Sequence, residues 1–268
     1  MKISIVGSGN VAWHLSQALE DAGHWICEIY SRNPHHAALL AAQLYDTDVV
    51  DSLNFSESPA ELILLAISDH ALDEVMQQIV LPENTILVNT SGTTTLAALQ
   101  NLVDIYSDVD VQTGIFYPLQ TFTKGVPLNY NTIPFCIESR DKETEERLIS
   151  LAETISGQVK VLNSYERLVY HVAAVFASNF TTHLLAISHH IVQNEDLDFE
   201  LLKPLISATI EKALSAEDPA EGLTGPALRG DSNTLDRHLE YLEEADPNIS
   251  AIYSLLTHHI QESQGPNS

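Results

Sequence analysis

The sequence Ile3-Ser4-Ile5-Val6-Gly7-Ser8-Gly9-Asn10-Val11-Ala12 decides the fold, because it joins an apolar strand to a glycine-rich turn and a helix. In this G-x-G-x-x-A pattern, Gly7 permits a tight turn, Gly9 leaves room for a diphosphate, and Ala12 lets the helix pack closely on the strand. The free N–H groups of the first helical turn then face an anion. The alternative is an ordinary strand, turn and helix without a ligand. We predict a dinucleotide site made by Gly7, Ser8, Gly9, Asn10 and Val11.

The end of the second predicted strand indicates which dinucleotide is bound. The strand-like run 26–30 is followed by Ser31-Arg32-Asn33. A site selective for NAD usually has a carboxylate here for the ribose 2′-hydroxyl, whereas the Arg32 guanidinium suits a 2′-phosphate. Glu28 is a rival acidic candidate, but it falls inside the strand, and a solvated surface charge is the alternative interpretation of Arg32. The sequence therefore favours NADP, with Ser31, Arg32 and Asn33 as contacts.

The first 115 residues alternate between strands and helices. This alternation predicts an α/β fold with a doubly wound, mostly parallel sheet, in which ligands bind beyond the carboxyl ends of the strands. Strands are predicted at 3–6, 26–30, 62–67, 86–89, 114–117, 133–137 and 159–162, and helices at 10–22, 35–44, 94–99 and 142–155, with one more ending at residue 79. Ile67, Ser68 and Asp69 follow the third clear strand and Thr90 follows the fourth, so these residues are predicted to contact the cofactor. Helix capping is the alternative for Asp69.

The overall composition excludes several classes of protein. The chain has 268 residues and a formal net charge of −25, which would repel nucleic acid. An apolar run near 18 residues is absent and the strand pattern starts at the N-terminus, so we expect no membrane span, no signal peptide and a cytoplasmic location. Cys27 and Cys136 lie in apolar strands and are predicted to be reduced core residues. Adjacent histidine pairs chelate poorly, so no metal site is expected.

The pattern changes after residue 163, where we predict the boundary between domains 1–163 and 164–268. Residues 158–203 contain no glycine or proline, and apolar residues recur there at helical spacing. This indicates a buried helix of up to about thirty residues. At about 100° per residue, its residues His171, Ser178, Thr182 and His189 would share one face. Further helices are predicted at 199–215, 234–241 and 248–261, and the tail 264–268 is expected to fray.

Five residues are candidates for chemistry in a cleft between the two domains. His171 is the preferred general acid, because an imidazole can give and take a proton near neutral pH, and Tyr117 is the second choice. Ser91, Asn179 and Arg229 are predicted to orient a substrate. Ser91 is equally suited to capping the following helix, and Arg229 to stabilising the turn Thr224-Gly-Pro-Ala-Leu-Arg-Gly-Asp231.

The chain resembles the family of NADP oxidoreductases that pair a Rossmann-like domain with the domain of unknown function DUF2520. The resemblance rests on five stretches besides the glycine turn: Ser31-Arg32, Asn89-Thr-Ser-Gly92, Phe116-Tyr-Pro-Leu-Gln-Thr-Phe122, His171-Val-Ala-Ala-Val-Phe-Ala-Ser-Asn179 and Thr224–Asp231. Wider relatives are pyrroline-5-carboxylate reductase, the F420-dependent NADP oxidoreductases, ketopantoate reductase and the β-hydroxyacid dehydrogenases of the 6-phosphogluconate dehydrogenase type. The last group carries a catalytic lysine with an asparagine four residues later, whereas here Val175 follows His171 at that spacing. The resemblance implies a homodimer formed through an all-helical C-terminal domain.

We therefore expect an NADP-dependent oxidoreductase that transfers a hydride to a small C=O or C=N compound. The first alternative is a dinucleotide-binding sensor or regulator without turnover, in which the polar helix face is only a subunit contact. The second is an enzyme that uses S-adenosylmethionine, which also binds at glycine-rich turns, although Ser31-Arg32 argues against it.

Overall fold

The computed structural model describes residues 1–264, so the tail that is expected to fray lies outside the described residues except for Gln264. The chain forms two compact units, Met1–Asn179 and Phe180–Ser268. The predicted domain boundary at residue 163 coincides with the start of the long helix. The first part of that helix, residues 164–179, is included in the first unit.

The first unit is built on an eight-stranded sheet, counted over the described residues, with the order β3-β2-β1-β4-β5-β6-β7-β8. Its strands are β1 Lys2–Val6, β2 Trp25–Tyr30, β3 Asp48–Val50, β4 Leu62–Leu65, β5 Ile86–Asn89, β6 Gln112–Pro118, β7 Phe135–Ser139 and β8 Val159–Val161. All neighbouring strands are parallel except β6 and β7, which are antiparallel. The strand order reverses between β1 and β4, and such a switch point opens a crevice at the carboxyl ends of the strands. The predicted fold class is confirmed.

Helices cover both faces of this sheet. They are α1 Asn10–Asp21, α2 Pro34–Ala41, α3 Asp69–Met76, α4 Leu96–Tyr106 and α5 Lys142–Glu153. Side chains from α1, α2 and α5 pack into one apolar cluster, and side chains from α3 and α4 pack into a second. The predicted helix at 94–99 begins later and runs longer, because the Thr95 side chain accepts a hydrogen bond from the Ala98 N–H and so caps α4. Cys27 and Cys136 are free and buried.

The long helix differs from its prediction in phase. It consists of α6 Ser164–Ala174, a π-helical segment Val175–Phe180 and α7 Thr181–Asn194. A π-helical turn holds more residues than an α-helical one, so the phase of 100° per residue is lost across it. His171 and Ser178 line one pocket. Thr182 and His189 follow the π-helical segment, so the shared face predicted for these four residues at 100° per residue stays a prediction.

The long helix is also exposed in the single chain, although it was predicted to be buried. Leu168, Val169 and Val172 are 40%, 50% and 49% exposed. Its spacing correctly indicated a helix rich in apolar residues. Among the described residues, 164–194 is one helix whose length and composition would suffice to cross a membrane, with a mean hydropathy of 1.2.

The second unit is helical. It contains α7, α8 Lys203–Ser215, α9 Pro226–Arg229, α10 Ser232–Ala245 and α11 Pro247–Gln264, with short 3₁₀ turns at Phe199–Leu202 and Pro219–Gly222. The hydroxyl of Tyr253 lies 2.7 Å from Nδ1 of His238, which joins α10 to α11. The three predicted helical regions are all present.

Candidate functional site

The carboxyl ends of β1, β2 and β4 border a cleft of about 290 Å³. Eight of its lining residues were predicted to bind the cofactor: Gly7, Ser8, Gly9, Ser31, Arg32, Asn33, Ile67 and Ser68. The cleft is also lined by residues that the sequence did not single out, namely Val6, Tyr30, His36, Ala66, Ala71 and Val75. The glycine turn and the end of the second strand therefore face one common space.

Glycine is present at the two positions of the turn, Gly7 and Gly9, for different structural reasons. Gly7 has φ +122°, and a Cβ there would lie 2.2 Å from the carbonyl oxygen of Ala66, so the fold itself requires glycine. Gly9 has an ordinary φ of −72° and is the N-cap of α1. A Cβ on Gly9 would meet no protein atom within 4 Å. The absent side chain of Gly9 thus leaves open space at a helix N-terminus, which fits a diphosphate group.

Among the described residues, no carboxylate lines the cleft at the tip of β2. The Ser31 hydroxyl lies 2.7 Å from the Ser8 hydroxyl and so connects the strand end to the glycine turn. Glu28 is placed inside the sheet, where its carboxylate accepts a hydrogen bond of 2.6 Å from Ser4. Glu28 is therefore not at the ribose position. Arg32 and His36 provide the two basic side chains of the cleft lining, and this composition is suited to a phosphate.

Four other predicted cofactor residues lie outside the cleft lining. Asn10 and Val11 are the first residues of α1, where their backbone N–H groups lack an intrahelical partner. The Asp69 carboxylate instead accepts hydrogen bonds from the hydroxyls of Thr93 and Thr94, and it joins α3 to the loop before α4. Thr90 is buried, and its hydroxyl donates to the Leu65 carbonyl at 3.2 Å.

A second pocket, of about 210 Å³, lies beside β6 and the long helix, within the first unit. It is lined by Tyr117, Leu119, Gln120, Thr121, His171, Ala174, Val175, Ala177, Ser178 and Asn179. Three of the five predicted catalytic residues, Tyr117, His171 and Asn179, are thus brought together. The π-helical segment supplies four of the lining residues, from Val175 to Asn179. Such segments are frequent at functional sites because they alter which side chains share a face.

Tyr117 and His171 form a hydrogen-bonded pair. The Tyr117 hydroxyl lies 3.0 Å from Nδ1 of His171, and the rings meet edge to face with centroids 5.9 Å apart. Burial raises the pKa of Tyr117 to about 12. Tyr117 therefore keeps its proton over the physiological range. A Cβ on Gly92 would lie 2.5 Å from Nδ1 of His171, so this glycine makes room for the pair.

Two predicted substrate-orienting residues, Ser91 and Arg229, have local hydrogen-bond partners. The Ser91 hydroxyl accepts hydrogen bonds from the N–H groups of Thr93 and Thr94, both at 3.0 Å. Arg229 donates to the Thr224 carbonyl at 2.6 Å within its own turn. Gly230 follows with φ +66° and ends α9, and Asp231 caps α10. Both residues thus stabilise turns.

Arg167 lies one helical turn before His171 and was not singled out from the sequence. It is fully buried, and its guanidinium forms an ion pair with Glu138 and donates to the Thr94 carbonyl. Its Nε has no hydrogen-bond partner in the described structure. The Ser164 hydroxyl also donates to Glu138, at 2.9 Å. These bonds attach the start of α6 to β7. Nothing in the sequence indicated that Arg167 is buried, because arginines on helices are usually exposed.

The fold and the glycine-turn cleft define a dinucleotide-binding protein with a Rossmann-like domain. Two family models match the chain, a Rossmann-like domain over residues 1–107 and the domain of unknown function DUF2520 over residues 133–260. A putative NADP oxidoreductase from Bacteroides fragilis has 33% identity and a TM-score of 0.88, with 97% of this chain and 98% of that chain covered. The chain therefore belongs to the family of NADP oxidoreductases that pair a Rossmann-like domain with DUF2520.

More distant solved structures share the fold. A reductive aminase from Aspergillus terreus in complex with NADPH and ethyl-5-oxohexanoate has 14% identity and a TM-score of 0.65, covering 98% of this chain and 95% of that one. An imine reductase from Myxococcus stipitatus in complex with NADP⁺ has 13% identity and a TM-score of 0.65, covering 99% and 96%. A search of curated proteins gave no match.

Proposed function

We propose that this protein is an NADP(H)-dependent oxidoreductase that transfers a hydride to a small substrate containing a C=O or C=N bond. The observation that carries the proposal is the cleft at the ends of β1 and β2, in which open space at Gly9 adjoins a strand end with Arg32 and no carboxylate. The family relative from Bacteroides fragilis is named for NADP, and the more distant imine reductase was crystallised with NADP⁺. Both names agree with the cofactor that the cleft suggests.

The residues that would hold the cofactor follow from the cleft. The glycine turn and the first N–H groups of α1 bind the diphosphate, and Arg32 with Ser31 and Asn33 binds the 2′-phosphate. When bound, NADPH supplies a hydride from its nicotinamide. The protein has to supply the matching proton and to orient the substrate.

The Tyr117–His171 pair is the proposed source of that proton. The direction of the Tyr117–His171 hydrogen bond follows the imidazole tautomer: Nδ1 accepts when it is unprotonated and donates when it carries the hydrogen. Protonated His171 donates from Nδ1–H to the Tyr117 oxygen and can release its Nε2 proton to a substrate oxygen or nitrogen, which leaves the neutral imidazole with its hydrogen on Nδ1. Asn179, Ser178 and Gln120 line the same pocket and provide donors and acceptors for orientation.

Calorimetry tests the cofactor assignment. Arg32→Ala is expected to weaken NADPH binding by roughly 1.5–3 kcal/mol and to leave NADH binding nearly unchanged. Arg140→Ala removes an exposed arginine outside the cleft and is the matched control. Equal losses for both coenzymes would show that Arg32 does not contact the additional phosphate. Binding of S-adenosylmethionine in place of either coenzyme would favour the methyl-donor alternative.

Turnover measurements test the proton donor. With imines and keto acids as candidate substrates, His171→Ala is expected to lower kcat by roughly 10²–10⁴-fold with NADPH affinity retained. A larger effect of Tyr117→Phe than of His171→Ala would transfer the donor role to Tyr117. Tight NADPH binding without turnover of any such substrate would favour the sensor hypothesis.

We also propose a homodimer in the cytoplasm that assembles through its exposed helical surface. Large apolar side chains are exposed on the long helix and on the second unit: Leu168, Val169, Val172, Leu201, Leu205, Leu214 and Leu255. Burial of such surfaces drives subunit association. Light scattering should give twice the mass of the chain, and Val172→Asp should shift the mass towards the monomer. A monomeric wild-type protein at micromolar concentration would refute the proposal.

A further inference from the structure

Lys124 places a positive charge beside the glycine turn. This residue belongs to the segment between β6 and β7, far from the turn in sequence. Its Nζ donates a hydrogen bond of 2.8 Å to the Ser8 carbonyl and lies 5.4 Å from the ring centroid of Trp13 in the first turns of α1. We propose that Lys124 binds the cofactor diphosphate at the glycine turn. The inference rests on the proposed dinucleotide function.

The segment that carries Lys124 is fixed to the same helix that would bind the diphosphate. His14 of α1 is buried, and its Nε2 lies 2.8 Å from the Thr123 carbonyl oxygen while its Nδ1 lies 2.9 Å from the Tyr130 hydroxyl. The Phe122 ring packs on His14 with a centroid distance of 5.2 Å. Because these contacts hold residues 122–124 along α1, Lys124 is positioned relative to the turn by the packed structure.

The chemistry of the side chain fits an anion at this position. An ammonium has three N–H donors, and the bond to Ser8 uses one of them. The Trp13 ring favours a nearby cation and so helps to keep the ammonium at the turn. In a chain with 12 lysines and arginines against 37 acidic residues, the overall field opposes a polyanionic coenzyme. A lysine next to the phosphate site offsets that repulsion locally.

The same segment connects the two pockets. Gln120 and Thr121 line the pocket of Tyr117 and His171, and Lys124 contacts the glycine turn three residues further on. A ligand that binds Lys124 thus contacts the same segment that forms one wall of the candidate substrate pocket.

Calorimetry with three ligands tests the proposal: NADPH, NADH, and adenosine 2′-phosphate, which lacks the diphosphate. Lys124→Met keeps the apolar stem and removes the charge. It is expected to raise the Kd of NADPH and of NADH alike by about tenfold or more, the range for a charge-assisted hydrogen bond. Binding of adenosine 2′-phosphate should be unchanged in this variant and weakened in Arg32→Ala. Lys124→Arg keeps the charge and should lose less affinity for both coenzymes than Lys124→Met does.

Lys2→Met is the matched control, because Lys2 also lies over a tryptophan, at 5.6 Å from the Trp25 ring centroid, but at the opposite end of β1 from the turn. It should leave all three affinities unchanged. Coenzyme affinities of Lys124→Met within twofold of the wild type would overturn the proposal. An equal loss of affinity for all three ligands would also overturn it, because it would indicate a structural role for Lys124. A loss of coenzyme affinity in both Lys124 variants together with a lower Tm would overturn it for the same reason. A wild-type protein that binds neither coenzyme would instead refute the proposed function itself.

Discussion

Replacement of Gly9 by alanine separates binding from stability. The N-cap position has φ −72°, which alanine adopts without strain, and the new Cβ would meet no protein atom within 4 Å. Loss of glycine's freedom in the unfolded chain stabilises the fold by about 0.4–1 kcal/mol. Alanine is a poorer N-cap than glycine and costs a similar amount, roughly 0.5–1 kcal/mol. The free energy of unfolding is therefore expected to change by less than about 1 kcal/mol.

The same methyl group occupies the space assigned to the diphosphate. If it displaces the ligand enough to break two charge-assisted hydrogen bonds to backbone N–H groups, binding weakens by about 3 kcal/mol or more. That loss corresponds to roughly a 100-fold increase in Kd. NADPH and NADH should be affected alike, because both carry the diphosphate.

Calorimetric titration and urea unfolding measure the two effects on the same protein. Gly225→Ala is the matched control, because Gly225 is also an N-cap with φ −80° and open space around its Cβ position. It should reproduce the small change in stability and leave coenzyme affinity unaltered. If Gly9→Ala binds NADPH as tightly as the wild type, the open space at Gly9 is not the diphosphate site.

Three further predictions concern the Tyr117–His171 pair and the N-cap of α10. Gly92→Ala should lower kcat at least tenfold with NADPH affinity retained, because its Cβ would lie 2.5 Å from His171 Nδ1; an unchanged kcat would show that the Tyr117–His171 bond is dispensable. Because burial raises the pKa of Tyr117 to about 12, this hydroxyl stays protonated between pH 6 and 10. Any fall in the wild-type rate over this pH range should therefore also be present in Tyr117→Phe. Hydrogen bonds from Thr234 lower the pKa of Asp231, so its stabilisation is present above the ordinary carboxylate range and is lost as pH falls through the folded value. The Tm difference between wild type and Asp231→Ala should therefore shrink from pH 6 to pH 3, and a constant difference would contradict this.

The sheet and the cofactor cleft could be predicted from the sequence because their signals are local. A turn such as Gly7–Gly9 and a strand end such as Ser31-Arg32 act through a few adjacent residues, and the topology of alternating strands and helices places them together. β3 was missed because Asp48–Val50 is only three residues long. The reversal of β7 was missed because strand direction leaves no mark in the composition of a short apolar run.

The pocket of Tyr117 and His171 was harder to predict because it depends on contacts between distant residues. Tyr117 and His171 were each candidates, but their 3.0 Å bond depends on the space at Gly92 and on the attachment of α6 by Arg167. The π-helical segment changed the helix phase, which a fixed period of 3.6 residues per turn does not anticipate. Lys124 could not be predicted as a neighbour of the glycine turn, because nothing in the sequence around it indicates that contact.

The buried ion pair between Arg167 and Glu138 has an evolutionary consequence. Loss of either partner alone leaves an isolated charge in the protein interior, and such single losses typically cost 3–5 kcal/mol, whereas replacing both by apolar residues is often neutral. Relatives of this chain should therefore inherit arginine and glutamate at these two positions jointly or replace both together. The double variant Arg167→Met with Glu138→Leu should accordingly be more stable than either single variant. Substitutions at these two positions are therefore expected to occur together in relatives of this chain.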